Sequence, residues 1–357
     1  MSSPTGSRIL VSGGAGYIGS HAAYALKEAG YEPVIVDNLS TGNAWAVSFG
    51  TFEQGDIGDE EFIGAVYKKY EPVAAMHFAA LIEVGESVKN PDKYFDNNRD
   101  RAARFFKTLN KHNVRKVVFS STAAVYGDAG DAGPVSELSL TRPVNPYGQS
   151  KLEAEAYLRM LDAAGMRSVA LRYFNVAGAA PVEAMIGEAH LPETHLIPRL
   201  ILPLIDTPAD LLRGLGLESG FAIYGNDYPT KDGTAIRDYI HVMDLVDAHL
   251  RALDYLLNGG ETDIFNLGSG TGFSVMEIVD AARTALGRPH FAPPAAPRRE
   301  GDPAILVASI AKAGKILNWK PARALPDIIG YAAAWHRSPF YREAIRDKIA
   351  RAKIAQT

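Results

Sequence analysis

The chain has 357 residues, which at about 150 residues per domain is two domains' worth. Its 37 Lys and Arg against 41 Asp and Glu leave a net charge of −4. That argues against a broad basic surface for nucleic acid or an anionic membrane. An apolar share of 47% fills a large core, and the absence of cysteine excludes disulfides, thiolate metal sites and a Cys nucleophile. Met1–Ser7 is short and polar, unlike a secretory leader, and no run of about 18 apolar residues spans a membrane. A cytoplasmic α/β protein is expected, with neither a nucleic-acid nor a membrane partner and no metal site.

In chain order, Arg8–Ser12 reads as a strand, Gly19–Ala29 as a helix and Pro33–Asp37 as a second strand. The amphipathic Glu60–Lys69 precedes a third strand, Pro72–Phe78. Asn97–His112 reads as a helix, Val117–Ser120 as a strand, Ser150–Ala163 as a helix and Ser168–Tyr173 as a strand. This alternation predicts a doubly wound parallel sheet with helices on both faces. The rhythm breaks over residues 179–234, which are rich in Pro and Gly. It returns with the strand Asp238–His241, the helix Met243–Leu257 and the strand Asp263–Leu267. The proline-rich stretch 288–303 reads as an ordered loop or a crossing between domains. Phe340–Thr357, basic and Ala-rich, reads as a surface helix with a frayed end and no evident chemistry.

The first strand runs into Gly13-Gly14-Ala15-Gly16-Tyr17-Ile18-Gly19, and a helix begins there. An acid, Asp37, ends the next strand about 20 residues on, which is the spacing of a dinucleotide fingerprint. Glycines permit the tight turn and let backbone approach a pyrophosphate at a helix N-terminus. Asp37 would accept hydrogen bonds from both adenosine ribose hydroxyls and repel a 2′-phosphate, favouring NAD over NADP. The plain alternative is a turn that merely packs helix on strand. Asp56, in Gly55-Asp56-Ile57, is either an adenine contact or an ordinary turn residue.

Tyr147-Gly148-Gln149-Ser150-Lys151 sets a phenol and an ammonium four residues apart, on one face if a helix starts here. A cation beside a phenol lowers its pKa and makes it a usable acid or base. Upstream, Ser120-Ser121-Thr122-Ala123-Ala124 ends a strand, where open α/β sheets bind ligands. Thr122 could therefore meet a substrate oxygen beside Tyr147, or simply bond to nearby backbone.

The glycine string, the Ser-Thr run and the Tyr147/Lys151 spacing resemble the extended short-chain dehydrogenase/reductase superfamily. Five longer strings look like its UDP-glucose (UDP-galactose) 4-epimerase family: Phe78–Ser87, Leu171–Gly178, Tyr224–Thr230, Arg237–Leu245 and Pro297–Asp302. The match runs from about Arg8 to about Phe340. It implies a Rossmann domain with a smaller α/β C-terminal domain for the UDP-sugar, here 1–178 plus about 235–265 and 179–234 plus 266–357. Tyr147 would be the catalytic base, Lys151 its tuner and a nicotinamide-ribose ligand, and Thr122 the helper at the sugar 4-hydroxyl. Gly13, Gly16, Tyr17, Ile18, Gly19, Asp37, Asn38, Asp56, Ile57, Phe78, Asn97 and Phe174 match positions around NAD. Asn175, Arg237 and Arg299 match diphosphate ligands and Asp302 a uridine-ribose contact, while the plain alternative for Arg237 is an ion pair with Asp238. His195 and Leu196 stand near the diphosphate, and Leu306 beside the sugar 2-substituent. Ile82 replaces a lysine that reaches NAD in some members.

The resemblance implies a redox-neutral epimerisation of a UDP-hexose through a 4-keto intermediate, in a homodimer formed through Asn97–His112 and Ser150–Ala163. Dehydratases and decarboxylases of this superfamily need acids where Ala123 and Ala124 stand. A UDP-pentose 4-epimerase uses the same chemistry. A non-catalytic NAD-sensing regulator would be expected to lack the Tyr or the Lys, and both are present.

Overall fold

The computed structural model describes residues 6–128, 133–299 and 302–354, so Glu300 and Gly301 of the string Pro297–Asp302 lie outside the described residues, as do Met1–Thr5 and the last three residues. β1 (Arg8–Ser12) leads to α1 (Tyr17–Glu28), β2 (Glu32–Asp37), β3 (Thr51–Gln54), α2 (Glu60–Tyr70) and β4 (Ala74–His77). α3 (Val84–Lys89) and α4 (Pro91–Phe95) pass through a π-helical turn, Asp96–Arg101, into α5 (Ala102–Lys111). β5 (Lys116–Thr122), α6 (Pro146–Leu161), β6 (Arg167–Tyr173) and β7 (Asn175–Ala177) follow, then α7 (Leu196–Ile201), α8 (Ala209–Gly214), β8 (Ile223–Tyr224), β9 (Ile236–Arg237) and β10 (Tyr239–His241). The chain continues through α9 (Val242–Leu257), β11 (Asp263–Leu267), β12 (Phe273–Ser274), α10 (Val275–Leu286), β13 (Ala295–Ala296) and β14 (Ile305–Leu306). It ends with α11 (Ala311–Ile316), α12 (Leu325–Arg337) and α13 (Pro339–Ile354).

Seven parallel strands form the main sheet in the order β11-β6-β5-β4-β1-β2-β3. Strand order reverses between β1 and β4, which is where a doubly wound sheet opens a crevice at its carboxyl edge. One face is covered by α1 and α9 with Leu26, Leu245, Leu253 and Trp319, the other by α2, α5 and α6 with Ile63, Phe105, Phe106 and Leu158. A separate core gathers α7, α10, α12 and α13 around Leu200, Ile278, Ile329, Trp335 and Ile345. Two short sheets, β12-β9-β14 and β13-β8, sit among these elements. Among the described residues no helix is long and apolar enough to cross a membrane.

Local sequence explains the helix starts that matter for the site. Asp59 caps α2 by accepting from the Glu61 and Phe62 amides, with acids in the first turn and lysines in the last, as the helix dipole favours. α6 begins earlier than the sequence suggests. Pro146 takes its first position and the Asn145 side chain accepts from the Gly148 amide at 2.8 Å, so Tyr147 lies in the first turn. The strand Thr51–Gln54, unforeseen from sequence, pairs with β2 at the sheet edge, so the strand expected third is fourth. α13 also departs from expectation: Tyr341, Ile345 and Ile349 are buried, and Lys348 donates to the Thr41 and Ala189 carbonyls.

Beneath the carboxyl edge lies a buried polar network. Glu155 of α6 pairs with Arg172 of β6 at 2.5 Å, and both side chains are under 5% exposed. Arg172 also donates to the Tyr126 hydroxyl, which donates to Asn266. Removing one member of a buried pair strands the other charge, at a cost of about 3–5 kcal/mol, whereas exposed pairs are worth about 1 kcal/mol or less. Glu155→Ala should therefore lower the free energy of unfolding in urea by about 3–5 kcal/mol. Glu261→Ala, which breaks an exposed pair with Arg167, should change it by less than about 1 kcal/mol. Equal effects in the two variants would contradict this account.

Candidate active site

Along the carboxyl edge runs one continuous cleft of about 1980 Å³, bordered by the glycine turn, the ends of β4 and β5, the start of α6, segment 188–199, and α13. A pocket for one small ligand holds about 300–1,000 Å³, so this cleft has room for two bound side by side.

At one end Gly13 has φ +73°, and a Cβ there would stand 2.4 Å from the Ala79 nitrogen; a Cβ at Gly19 would stand 2.2 Å from the Gly13 carbonyl oxygen. Only glycine lets this turn close. α1 then starts at Gly16 with no side chain capping its amides and no acid in its first turn. Free donors at the positive end of a helix suit a pyrophosphate. Asp37, nine-tenths buried, accepts from the Ala15 amide at 3.1 Å and the Leu39 amide at 2.8 Å. Burial pushes its carboxyl up, and those amides oppose the shift. Asp56 accepts from Asn38 at 3.0 Å, the Gly58 amide at 2.8 Å and Arg101 at 2.5 Å. Burial raises its carboxyl, but these partners leave it below the ordinary value. Asp37 and Asp56 thus offer acceptors, not donors, and both lie beyond the cleft lining proper. Ile57 packs into the core beside the sheet, and the Asn97 amide donates to Asn98, which bonds both backbone groups of Leu81.

In the middle, Thr122 ends β5 and its hydroxyl accepts from the Ala124 amide at 3.1 Å while also meeting the Tyr147 phenol. The backbone bond expected as the plain alternative for Thr122 is thus present, beside the phenol. Lys151, one turn beyond Tyr147, is fully buried; its Nζ donates to the Ser120 carbonyl at 2.7 Å and lies 4.8 Å from the Phe119 ring centroid. Burial pushes this ammonium down to about 7, with Glu155 opposing. The expected depression of the phenol is not found: burial pushes Tyr147 up, and only the Thr122 hydrogen bond works against it. Lys151, seated on the Ser120 carbonyl and itself disfavoured as a cation by burial, does not oppose that shift. Tyr173, which the sequence did not single out, also lines the cleft, and its hydroxyl bonds Ser120 Oγ.

At the far end, Arg237 donates to the Asp302 carboxylate and, at 2.6 Å, to the Pro303 carbonyl. The alternative of a pair with Asp238 is not found, because that carboxylate accepts from the Ser269, Gly270 and Ala308 amides instead. Arg299 lies 4.3 Å over the Tyr224 ring, a platform missed from sequence. Phe174, Asn175, Leu196 and Leu306 line the same cleft. Leu306 sits opposite Arg237 in the β14–β9 pairing and packs against the Phe174 cluster. Phe78, Tyr17, Ile18 and Ile82 line the glycine-turn side. His195 lines the wall before α7, with Nδ1 2.8 Å from Glu188 Oε1 and 3.0 Å from Glu193 Oε1. Burial disfavours its charge, but these carboxylates hold it well above the ordinary imidazole value.

Comparison with known proteins agrees with this geometry. The NAD dependent epimerase/dehydratase family profile matches residues 9–268. The UDP-glucose 4-epimerase of Rhizobium meliloti (strain 1021) is 47% identical over 329 residues, 92% of this chain and 96% of its own. The crystal structure of UDP-glucose 4-epimerase from Brucella ovis in complex with NAD superposes with a TM-score of 0.84 at 43% identity, covering 92% of this chain and 97% of that one. The enzyme from Bifidobacterium longum in complex with NAD+ and UDP superposes with a TM-score of 0.81 at 35% identity, covering 92% and 98%. A glycine turn shaped for NAD, a Tyr147–Thr122 pair and near full-length similarity together place this chain in the NAD dependent epimerase/dehydratase family of the extended short-chain dehydrogenase/reductases, on its UDP-glucose 4-epimerase branch.

Proposed function

We propose that the protein is an isomerase that interconverts UDP-glucose and UDP-galactose at C4, with slower turnover of UDP-N-acetylhexosamines. The observation that carries this reading is the Tyr147–Thr122 pair in the middle of a cleft with the glycine turn at one end and Arg237 and Arg299 at the other. Tyr147 takes the proton of the sugar 4-hydroxyl and returns it, while Thr122 bonds the same oxygen. NAD, when bound, supplies the acceptor for the C4 hydride and gives it back, so the reaction has no net redox change. Asn175, Arg237 and Arg299 hold the diphosphate, Arg237 being released from Asp302 to do so, and Asp302 then turns to the uridine ribose. Holding the remote, non-reacting end leaves the hexose free to present either face. In the cofactor-free fold only the Thr122 bond opposes burial of the phenol, so Lys151 is assigned to tune it, and to hold the nicotinamide ribose, once NAD is bound. Ala123 and Ala124 follow Thr122 and offer no acid or base for dehydration.

The same reading assigns NAD to residues 1–178 plus about 235–265 and the UDP-sugar to 179–234 plus 266–357. It also makes the enzyme a cytoplasmic homodimer of galactose metabolism, joined through the region of α5 and α6. Both of these assignments rest on the resemblance.

Tyr147→Phe keeps the ring and loses the proton acceptor, so turnover should fall at least about 100-fold with NAD content unchanged. Activity within a few fold of wild type, assayed from UDP-galactose to UDP-glucose, would sink the mechanism.

Lys151 is pushed down to about 7 in the fold, against about 10.4 in an unfolded chain. Between those values the unfolded state binds more protons, so stability rises with pH, and the burial cost is complete below about 7. Lys151→Met should therefore raise the melting temperature of the cofactor-free protein at pH 6, with the gain vanishing near pH 10. Its activity should be much reduced and should appear only at higher pH. A pH-independent change in melting temperature would show that the lysine is not charged at cost.

Leu306→Tyr should suppress turnover of N-acetylated sugars while sparing UDP-galactose, and Leu306→Ser should raise it. A misfit of one or two methylenes is worth about 1–3 kcal/mol, so the discrimination is partial. Parallel loss of both activities with a lower melting temperature would mark Leu306 as ordinary core.

A further inference from the structure

Between the glycine-turn end of the cleft and α7, eight residues carry the pattern Glu-x-His-x-x-Glu-x-His: Glu188, His190, Glu193 and His195. The segment has no regular secondary structure, yet both carboxylates are at most 3% exposed. One ligand atom from each of the four side chains lies within 4.8 Å of every other. The imidazoles meet the carboxylates through Nδ1: His190 Nδ1 is 3.1 Å and His195 Nδ1 2.8 Å from the same Glu188 oxygen, and His195 Nδ1 is 3.0 Å from Glu193 Oε1. His195 Nδ1 is shared between the two carboxylates, Glu193 Oε1 also accepts from the His195 amide at 2.8 Å, and two buried like charges side by side repel.

We propose that Glu188, His190, Glu193 and His195 form a binding site for one divalent transition-metal cation of the Zn²⁺ class. Ligand atoms around a tetrahedral Zn²⁺ at about 2.0–2.2 Å stand about 3.3–3.6 Å apart. The convergent atoms, 2.8 to 3.1 Å apart at the three close contacts and within 4.8 Å throughout, bracket that spacing. Charge points the same way. Two carboxylates, two neutral imidazoles and one dication sum to zero, which removes the penalty of burying uncompensated carboxylates. Without a cation, two protons shared among the four side chains are needed to cancel the two carboxylates. Two nitrogen ligands disfavour Mg²⁺ and Ca²⁺, which take oxygen shells.

The frame is built to hold the ligands in place. The Trp335 indole donates to the Glu188 carbonyl at 2.7 Å, Lys348 to the Ala189 carbonyl at 2.9 Å and Arg199 to the Glu193 carbonyl at 3.4 Å. Backbone is thus fixed from α12, α13 and α7 while the side chains turn inward. A cation here closes the eight-residue loop that forms the cleft wall ahead of α7. Its role is structural, and no step of the epimerisation is assigned to it.

The test uses the full-length protein with its NAD, stripped of metal by chelator dialysis and titrated with Co²⁺ and Zn²⁺. One equivalent of Co²⁺ per chain should give the intense visible bands of a four-coordinate site, and one equivalent of Zn²⁺ should displace it and raise the melting temperature. His190→Gln and Glu193→Gln should each weaken Co²⁺ affinity at least 100-fold. Absence of a stoichiometric cobalt spectrum in the wild type would overturn the proposal, whatever the variants do. Unchanged affinity in both variants would overturn it as well, leaving the cluster as a proton-filled salt-bridge network. Should one variant fail to fold, the wild-type titration and the other variant decide. Binding is read by absorbance and composition, so the result is independent of the epimerase assignment.

Discussion

The site is organised by one buried contact, the Lys151 ammonium on the Ser120 carbonyl. It ties the first turns of α6 to the carboxyl end of β5 and so sets Tyr147 against Thr122. Tyr147, Lys151 and Glu155 recur at four-residue intervals along one stripe of α6, and two of the three are fully engaged beneath the cleft floor. Placing polar groups where a helix normally packs Leu or Ile is expensive. Here the cost is met by a chain of partners, Glu155 to Arg172, Arg172 to Tyr126 and Tyr126 to Asn266, that joins α6, β6 and β11 into one unit. The rigidity of the catalytic floor and the burial of its charges have the same origin.

The cleft has two walls of different character. The glycine-turn wall belongs to the central sheet and exposes backbone donors, which recognise phosphate without side chains. The opposite wall is assembled from short strands and loops and presents the side chains of Arg237, Arg299, Asp302 and Tyr224. Arg237 and Asp302 satisfy each other when nothing separates them. Any anion that engages Arg237 would have to displace the Asp302 carboxylate.

Much of this was legible in the sequence where the signal was local. The strands β1, β2 and β11, the glycine turn and the Tyr147/Lys151 spacing all depend on near neighbours. β3 was missed because Thr-Phe-Glu-Gln is short, half polar and lies at the sheet edge, so it lacks the apolar run of a central strand. The burial of α13 was missed because its sequence is basic and its partners, Thr41 and Ala189, lie far back in the chain. Arg237 beside Asp238 suggested a local pair, but Asp238 is taken by three backbone amides and Arg237 by a residue 65 positions away. The phenol's electrostatics were misjudged for a related reason. Spacing fixes which residues are near each other, whereas burial and competing acceptors decide which way a proton equilibrium moves. The Glu188–His195 cluster was overlooked because its spacing matches no familiar metal signature.

α13 gives the cleft a property that the Rossmann sheet alone lacks. Lys348 fastens it to the loop after β2, and Trp45 of that loop packs against Trp335 and Phe340, while Glu343, Ala344, Asp347 and Arg351 border the opening. The last helix and the loop after β2 thus meet at the edge of the cleft. The wall at this end therefore rests on a contact between residues 307 positions apart in the chain, Lys348 and Thr41. Shortening the chain to before Lys348 would remove that wall without touching the sheet that carries the glycine turn.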